Sequence, residues 1–180
     1  MNVRIIAGLF GGRIIEGSGT DRTHPMGERI RNAIFNKIGS EIEGTKVLDA
    51  FAGSGAIGLE AISRGAASVI FVERDRIAQK VISKNIETVG AESEAKLVRA
   101  SVAAWASTAE ERFDMIFADP PYNDMQLSTV KRLFPLLKPN GLMVLSYSGR
   151  GEAPTETGVV VVDNRSYGTA ALAYYRKKDA

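Results

Sequence analysis

The stretch of sequence that decides the fold reads Val47-Leu48-Asp49-Ala50-Phe51-Ala52-Gly53-Ser54-Gly55-Ala56-Ile57-Gly58-Leu59-Glu60-Ala61. Its pattern predicts a short apolar strand, a glycine-rich turn and then a helix that runs to about Arg64. A second predicted strand covers residues 68–72, and Glu73 stands at its end. This arrangement is the unit from which parallel α/β sheets are built.

The three glycines of this stretch allow two interpretations of the cofactor. Gly53, Gly55 and Gly58 match the G-x-G-x-x-G pattern, and Glu73 follows at about the spacing of the acidic residue that binds a ribose. A nicotinamide or flavin dinucleotide fits that pattern, but Asp49 would put a carboxylate close to its pyrophosphate at the helix N-terminus. Like charges repel, whereas the cationic amino group and sulfonium of S-adenosylmethionine (SAM) would be attracted. The sequence therefore favours SAM.

The tetrapeptide Asp119-Pro120-Pro121-Tyr122 supplies the second piece of chemistry. It follows the run Phe113–Ala118, which is apolar except for Asp114, so a stiff loop at the carboxyl end of a buried strand is expected. The Asp119 carboxylate and the Pro120 carbonyl can accept both hydrogens of an exocyclic amine, and Tyr122 can stack on the ring that carries it. Proline pairs are also common in ordinary loops, so the tetrapeptide is informative mainly beside the cofactor signature.

The chemistry of a nucleobase amine explains the need for two acceptors. Its lone pair is delocalised into the ring, which makes the amine a poor nucleophile. Groups that accept its hydrogens, and take a proton as positive charge develops, stabilise the transition state more than the ground state. The tetrapeptide therefore indicates transfer of a group to an amine.

The composition excludes several other chemistries. The chain has 180 residues, a net charge of +2 and no cysteine, so one domain is expected, without disulfides, thiolate zinc sites or a cysteine nucleophile. Methylation of carbon 5 of a pyrimidine ordinarily needs that nucleophile, whereas methylation of an amine does not. His24 is the one histidine, so we expect no metal site. The apolar runs are of strand length and no signal peptide stands out, so we expect a cytoplasmic protein.

Predicted strands and helices alternate along most of the chain, which ends in two strands without a helix between them. This order indicates an α/β fold with a doubly wound, mostly parallel seven-stranded sheet, an antiparallel edge hairpin and a short N-terminal β-hairpin. Residues 1–180 are expected to form a single domain, with residues 1–22 as the N-terminal hairpin extension. The predicted strands are 3–7, 13–17, 46–49, 68–72, 95–99, 113–118, 142–146, 159–163 and 170–176. Besides the helix after the glycine turn, helices are predicted at 25–38, 77–89, near Ala103 and at 127–137.

In a sheet of this kind, ligands bind at the carboxyl ends of the strands, near the point where the strand order reverses. Asp49, Glu73 and Asp119 all fall at predicted strand ends. If these three strands are neighbours, the three acids line one crevice. The cofactor and the target base would meet there, and the methyl group would pass by in-line displacement.

These motifs resemble the RsmD family of bacterial SAM-dependent methyltransferases, which modify the exocyclic N2 amine of a guanine in 16S ribosomal RNA. The resemblance runs nearly end to end and covers Arg4-Ile5-Ile6-Ala7-Gly8, Gly12-Arg13, Pro25, Arg29-Ile30-Arg31, Phe35-Asn36, residues 49–61, Glu73 and Asp119-Pro120-Pro121-Tyr122. It implies a class I, Rossmann-like methyltransferase of rRNA processing. It also implies ribosomal RNA or an assembling 30S subunit as the partner, and a monomeric protein.

The resemblance implies roles for individual residues as well. Catalysis would rest on Asp119, Pro120, Pro121 and Tyr122. The cofactor would contact Asp49, Ala52, Gly53, Ser54, Gly55, Glu73, Arg74, Ser101, Val102 and Asp119. The hairpin would face the RNA, and the RNA-binding residues would be Arg4, Arg13, Arg29 and Arg31. Basic side chains outnumber acidic ones within residues 1–40, which favours a nucleic-acid face, although a scattered solvated surface has the same composition.

The chain departs from the family pattern at three places. His24-Pro25-Met26 replaces Arg-Pro-Thr, so a threonine hydroxyl expected near the cofactor's carboxylate is missing. The hairpin turn reads Leu9-Phe10-Gly11 and lacks the family's usual residues. Ser101-Val102 stands where an Asp or Asn commonly contacts the adenine amine. These departures bear on cofactor affinity and on the choice of RNA site, and they leave the transfer chemistry unchanged.

Two further hypotheses belong to other classes. A DNA adenine-N6 methyltransferase can use Asp-Pro-Pro-Tyr for the same chemistry, but 180 residues leave no obvious domain for reading duplex sequence or holding a flipped base. A non-catalytic RNA-binding or ribosome-assembly protein could retain the fold, although the intact set of acids and glycines argues against it. Incubation with labelled SAM and each nucleic acid separates the three.

Overall fold

The computed structural model describes residues 1–19, 26–149, 152–168 and 170–179. Within these residues the chain forms nine β-strands and five α-helices. The strands are β1 Asn2–Arg4, β2 Ile14–Glu16, β3 Lys46–Ala50, β4 Ser68–Glu73, β5 Ala95–Arg99, β6 Phe113–Ala118, β7 Leu137–Tyr147, β8 Val159–Tyr167 and β9 Ala170–Lys177. The helices are α1 Glu28–Ile38, α2 Ala56–Ser63, α3 Arg76–Val89, α4 Val102–Thr108 and α5 Leu127–Leu133, with 3-10 turns at Gly39–Ile42 and Phe134–Leu136.

Seven strands form one sheet in the order β5-β4-β3-β6-β7-β9-β8, and β1 pairs with β2 in a separate antiparallel hairpin. The first five strands of this order are parallel, whereas β9 runs antiparallel to both β7 and β8. The predicted fold class is thereby confirmed. The strand order reverses between β3 and β6, which places a ligand crevice at their carboxyl ends.

The sheet is buried on both faces, as expected of parallel strands. Successive residues of a strand point to opposite faces, so Val47 belongs to one hydrophobic cluster and Leu48 to the other. The first cluster packs the sheet against α1, α2 and α3. The second packs it against α4, α5 and the following 3-10 turn. Each central strand therefore contributes to two cores, and its polar residues can be exposed only at its ends.

The junction between the glycine turn and α2 depends on close packing at Gly58. A Cβ atom built on Gly58 would lie 2.2 Å from the Phe71 ring and 3.0 Å from Oδ2 of Asp49. A contact that short cannot form without a shift of the helix or the ring. Gly58 therefore lets α2 approach β3 and β4 closely enough for the turn before it to face the strand ends.

Several boundaries differ from the prediction. The strands of the N-terminal hairpin are shorter than predicted, because the backbone between them donates hydrogen bonds to side chains of α2. Strand β7 begins at Leu137 rather than at residue 142, since the pairing with β6 shifts register between Phe113 and Met115 and absorbs the extra residues. Helix α5 ends at Leu133 and passes into a 3-10 turn that contains Pro135.

The described residues contain no helix that combines the length and the apolar character needed to cross a membrane. Among the same residues, no group of three or more His, Cys, Asp or Glu side chains is arranged to hold a metal ion. His24 and Pro25 lie outside the described residues, and so do residues 20–22 of the predicted extension.

Candidate active site

The three predicted acids come together because their strands are adjacent and in register. Asp49 is paired across the sheet with Phe71 of β4 and with Phe117 of β6. Glu73 and Asp119 each lie two residues further along those strands. A step of two residues returns a side chain to the same face. All three carboxyl groups therefore belong to one face of the sheet, at the edge where the strands end.

Two cavities meet at this edge. The larger has a volume of about 440 Å³ and is lined by Asp49, the turn residues 51–54 and Asp119, among others, and ligand pockets of proteins are typically about 300–1,000 Å³. The smaller, about 50 Å³, is lined by Glu73, Arg74, Ser101, Val102 and Asp119, among others. Phe51, Asp119 and Pro121 line both. One elongated ligand can thus extend from the first cavity into the second past these residues.

Asp49 presents a buried carboxyl group to the larger cavity. It is 2% exposed, and its Oδ2 accepts a hydrogen bond of 3.0 Å from the backbone amide of Gly58. Burial raises the pKa of Asp49 well above its usual range, and the nearby Asp119 and Glu73 raise it further. A positive charge in the cavity would lower that pKa and favour the carboxylate. Binding of a cation beside Asp49 would therefore be coupled to its ionisation.

Glu73 fastens the glycine turn to the end of β4. Its Oε1 accepts from the amide of Gly53 at 2.9 Å, and its Oε2 accepts from the amide of Asp75 at 2.8 Å. A carboxylate has about four acceptor positions, so two remain for a ligand in the smaller cavity. The sequence motif pointed to the ligand-binding capacity of Glu73 but not to this second task of holding the turn.

The turn itself has an unusual backbone. Phe51 has a φ of 58°, which is rare for a bulky side chain, and Gly53 and Gly55 have φ values of 60° and 82°. Strain of this kind persists only where the surroundings enforce it, and it is concentrated at ligand sites. Asn85 of α3 enforces it in part, since its Nδ2 donates to the carbonyl oxygen of Ser54 at 2.9 Å. Sequence reasoning missed Asn85, which belongs to no motif.

The loop after β6 places Asp119 beside two hydroxyl groups. The Ser146 hydroxyl hydrogen-bonds to the Asp119 carboxyl group and lies 2.8 Å from the Tyr122 hydroxyl. Burial raises the pKa of Asp119 to about 7, and the Ser146 hydrogen bond opposes that rise. Pro120 is buried and Pro121 lines both cavities. Asp119 is therefore poised to exchange a proton near neutral pH. Ser146 also escaped the sequence analysis.

Arg31 was expected on the RNA surface, and the structure corrects its position. The residue is 2% exposed, its Nε lies 3.5 Å from Oε1 of Glu60, and its Nη2 donates to the carbonyl oxygen of Arg4. A guanidinium held inside in this way cannot reach an RNA phosphate on the surface. Arg31 instead lines the larger cavity together with Asp49, so that this cavity has a guanidinium and a buried carboxyl group on its wall.

The other three predicted RNA-binding arginines are exposed. Arg4 forms an ion pair with Glu28, and Nη2 of Arg13 donates to the carbonyl oxygen of Thr88 at 2.6 Å. The Arg29 guanidinium lies 6.0 Å from the centre of the Tyr167 ring. Their accessibility is compatible with the predicted role, which stays a prediction.

The departures from the family pattern have local structural counterparts. Met26 lines the larger cavity, where a threonine was expected. Ser101 is the N-cap of α4, and its Oγ accepts from the amide of Ala104 at 3.1 Å. The Ser101 hydroxyl therefore already caps the N-terminus of α4. Val102 is apolar and buried and lines the smaller cavity.

Comparisons with known proteins agree with this arrangement. The chain is 32% identical over 183 residues to "Putative rRNA methyltransferase YlbH" of Bacillus subtilis, covering 98% of this chain and 100% of that protein. It is 31% identical over 160 residues to "Ribosomal RNA small subunit methyltransferase D" of Escherichia coli, covering 89% of this chain and 79% of that protein.

A solved structure, "Putative methyltransferase yhhF from Escherichia coli", superimposes with a TM-score of 0.88 at 27% sequence identity and covers all of both chains. A second, described as a putative RNA methyltransferase from Pyrococcus horikoshii, has a TM-score of 0.74 at 16% identity over 91% of this chain and 93% of that one, and shows the shared fold. The family model described as "Conserved hypothetical protein 95" matches residues 3–176. The chain therefore belongs to that family, which is the RsmD family that its motifs resemble.

Proposed function

We propose that this protein transfers the methyl group of SAM to the exocyclic N2 amine of a guanine in 16S ribosomal RNA. The observation that carries the proposal is the gathering of Asp49, Glu73 and Asp119 on one face of the sheet, around two cavities that meet at Asp119. The names of the relatives, which are ribosomal RNA methyltransferases, support the choice of substrate.

The charges of the two cavities fit the parts of SAM. The methyl group of SAM is bound to a positively charged sulfur, and this charge makes the methyl carbon open to attack by an amine. Asp49 would hold the cationic amino group of its methionine portion, and Arg31, on the wall of the same cavity, would hold the carboxylate. Glu73 would accept from the ribose hydroxyls. The adenine would lie between Ser101-Val102 and Phe51 in the smaller cavity.

The remaining cofactor contacts are those of the glycine turn and the start of the loop after β4. Backbone groups of Ala52, Gly53, Ser54 and Gly55 would approach the methionine portion closely. Arg74 is exposed and lines the smaller cavity, where it would border the ribose and adenine. Asp119 lines both cavities and would thus contact both the cofactor and the base.

The acceptor amine would be held by the loop after β6. Asp119 and the carbonyl of Pro120 would accept its two hydrogens, Pro121 would keep that carbonyl in place, and Tyr122 would stack on the base. The amine nitrogen would gain positive charge as its bond to the methyl carbon forms and the carbon–sulfur bond breaks, with S-adenosylhomocysteine as the leaving group. Asp119 can take the proton from that nitrogen because its pKa is about 7. Positioning of the two reactants supplies most of the remaining rate increase.

The N-terminal extension is proposed to face the RNA. The exposed side chains of Arg4, Arg13 and Arg29 would contact phosphates, while residues 1–22 as a whole would form the RNA-facing element of a single domain, residues 1–180. Arg31 is withdrawn from this set because its guanidinium is buried. The proposal extends to a monomeric enzyme of the cytoplasm, where 30S subunits assemble.

Labelled SAM tests the proposal directly. The protein is incubated separately with naked 16S ribosomal RNA, 30S particles and duplex DNA, and the methylated nucleoside is identified by mass spectrometry. N2-methylguanosine in RNA or in particles is expected, with no label when the Asp119→Ala variant is used. N6-methyladenine in DNA would establish the alternative DNA enzyme. Tight RNA binding with no label in any substrate would favour a non-catalytic assembly protein.

A further inference from the structure

Ser146 is a buried polar residue at the site that no motif and no proposed contact with cofactor or base accounts for. It is 2% exposed and lies in β7, the parallel neighbour of β6. Ala118 at the end of β6 is paired with Leu145, so the next residues, Asp119 and Ser146, lie side by side where the two strands end. The sheet itself therefore brings the serine hydroxyl to the acceptor loop.

The Ser146 hydroxyl has two partners on that loop. Ser146 hydrogen-bonds to the Asp119 carboxyl group, and its Oγ lies 2.8 Å from the Tyr122 hydroxyl. A serine hydroxyl has one hydrogen to donate and can accept two. With Asp119 ionised, the arrangement that satisfies all three groups is donation from Ser146 to Asp119 and donation from Tyr122 to Ser146. The three side chains then form one hydrogen-bonded chain.

We propose that Ser146 is a positioning residue of the transfer reaction, which fixes the Asp119 carboxylate and the Tyr122 ring relative to each other. The inference rests on the proposed function. Asp119 would hold the amine and Tyr122 would stack on the ring that carries it, so their relative geometry decides whether one base can satisfy both. Errors of about 1 Å in such positioning can cost about a hundredfold in rate. The reacting atoms themselves do not touch Ser146.

The hydrogen bond also adjusts the charge of Asp119. The groups around this carboxyl include Asp49 of β3, Tyr122 of the loop and Ser146 of β7. Arg31 of α1 lines the larger cavity with Asp119, and Glu73, Arg74 and Asp75 at the end of β4 line the smaller one with it. Burial raises the pKa of Asp119, and among these groups the Ser146 hydroxyl lowers it again. Removal of the hydroxyl should therefore raise the pH at which Asp119 ionises.

The first test measures that ionisation without any need for activity. The side-chain carboxyl carbons of aspartate are labelled with carbon-13 and titrated by NMR, and the Asp119 signal is assigned with Asp119→Asn. Ser146→Ala should raise the midpoint by about one pH unit, a tenfold change in proton affinity. Ser146→Thr keeps a hydroxyl and should return the midpoint toward that of the wild type. Ser166→Ala, on exposed β8, is the matched control. An unmoved midpoint in Ser146→Ala would overturn the inference.

The second test uses methyl transfer by the wild type, Ser146→Ala, Tyr122→Phe and the double variant. Ser146→Ala should lower kcat about tenfold, leave the KM for SAM nearly unchanged and move the acidic limb of the pH profile to higher pH. Since Tyr122 would act through Ser146, the double variant should lose less than the product of the two single losses. Independent, multiplicative losses would contradict the inference. If the wild type labels no nucleic acid, the proposed function fails, while the NMR titration still decides whether Ser146 hydrogen-bonds to Asp119 and lowers its pKa.

Discussion

The cofactor side and the acceptor side of the site are held in place in different ways. Asp49 and Glu73 accept hydrogen bonds from backbone amides of the glycine turn and its surroundings, namely Gly58, Gly53 and Asp75. Asp119 and Tyr122 are both contacted by a side chain, that of Ser146 from a strand further along the chain. A backbone amide is kept when the side chain of its residue is replaced by one that fits, whereas a hydrogen bond from a side chain can be lost by a single substitution. The cofactor side should therefore be the more robust of the two.

The sharpest separation of the two sides comes from Asp119→Ala. Because Asp119 would hold the base amine, the variant should lose turnover by about 10³-fold or more, in the range expected when a transition-state contact and an acid–base group are lost together. Cofactor affinity should fall by no more than about 1.5 kcal/mol, because Asp119 would be only one of several cofactor contacts. Single-turnover transfer measures the first quantity and calorimetry with S-adenosylhomocysteine the second. A loss of cofactor binding of similar size would place Asp119 on the cofactor side instead.

Glu60→Gln addresses the link between the N-terminal hairpin and the cofactor side. Glu60 is fully buried, accepts from the amides of Ile6 and Ala7, and forms ion pairs with Arg31 and Arg64. Removing the charge leaves a buried arginine without its partner, so the free energy of unfolding should fall by about 3–5 kcal/mol. Urea unfolding measures it. Glu87→Gln, an exposed position on α3, serves as the control and should change the free energy by less than about 0.5 kcal/mol.

Glu73→Ala sharpens the comparison from within the cofactor side. The side chain would bind the ribose, and it fastens the turn through the amides of Gly53 and Asp75. SAM affinity should weaken by roughly 1.5–3 kcal/mol, as for hydrogen bonds to a charged group. A lost ribose contact should weaken the binding of both SAM and free adenosine. A displaced turn should weaken mainly the binding of SAM, whose methionine portion would contact the turn. Calorimetry with the two ligands distinguishes these outcomes. Unchanged affinity for both would remove Glu73 from the site.

The smallest effect concerns stability against pH. The pKa of Asp119 in the folded protein is about 7 because of burial, against about 4 in an unfolded chain. Folding therefore favours the protonated form, and this contribution is complete below about pH 4 and lost as the pH rises through about 7. The wild type should lose on the order of 1–3 kcal/mol over that range relative to Asp119→Asn. Urea unfolding of both proteins at several pH values tests this difference, and parallel curves would contradict it.

The parts of the molecule that the sequence predicted are those encoded by neighbouring residues. The strand, turn and helix at residues 47–61 and the loop at residues 119–122 carry their own signals of apolar runs, glycines and prolines. Their meeting followed from the general rule that ligands bind where the strand order reverses. The structure confirms the adjacency of the three strands on which that expectation depended.

The parts that escaped prediction depend on contacts between distant segments. Ser146 is one serine after the apolar run of residues 142–145 in β7, and only the pairing of β6 with β7 gives it a role. Arg31 reads as one more basic residue of the N-terminal region until the pairing with Glu60 buries it. Asn85 lies on α3 and contacts both β2 and the glycine turn. A single sequence reports such side chains, but not their partners.

The main chain of the N-terminal hairpin makes many of the hydrogen bonds that attach it to the rest of the protein. Glu60 accepts from the amides of Ile6 and Ala7, and Ser63 and Asn85 accept from those of Phe10 and Glu16. Arg31 donates to the carbonyl oxygen of Arg4. Gly8 is constrained, since a Cβ there would lie 2.0 Å from the carbonyl oxygen of Ser63. Exposed positions such as Leu9 can therefore be exchanged without loosening the attachment. Related enzymes could therefore differ in the exposed tip of the hairpin while keeping the same attachment to the domain. Grafting the loop tip of another member onto this hairpin would be a practical way to change what the hairpin is proposed to contact.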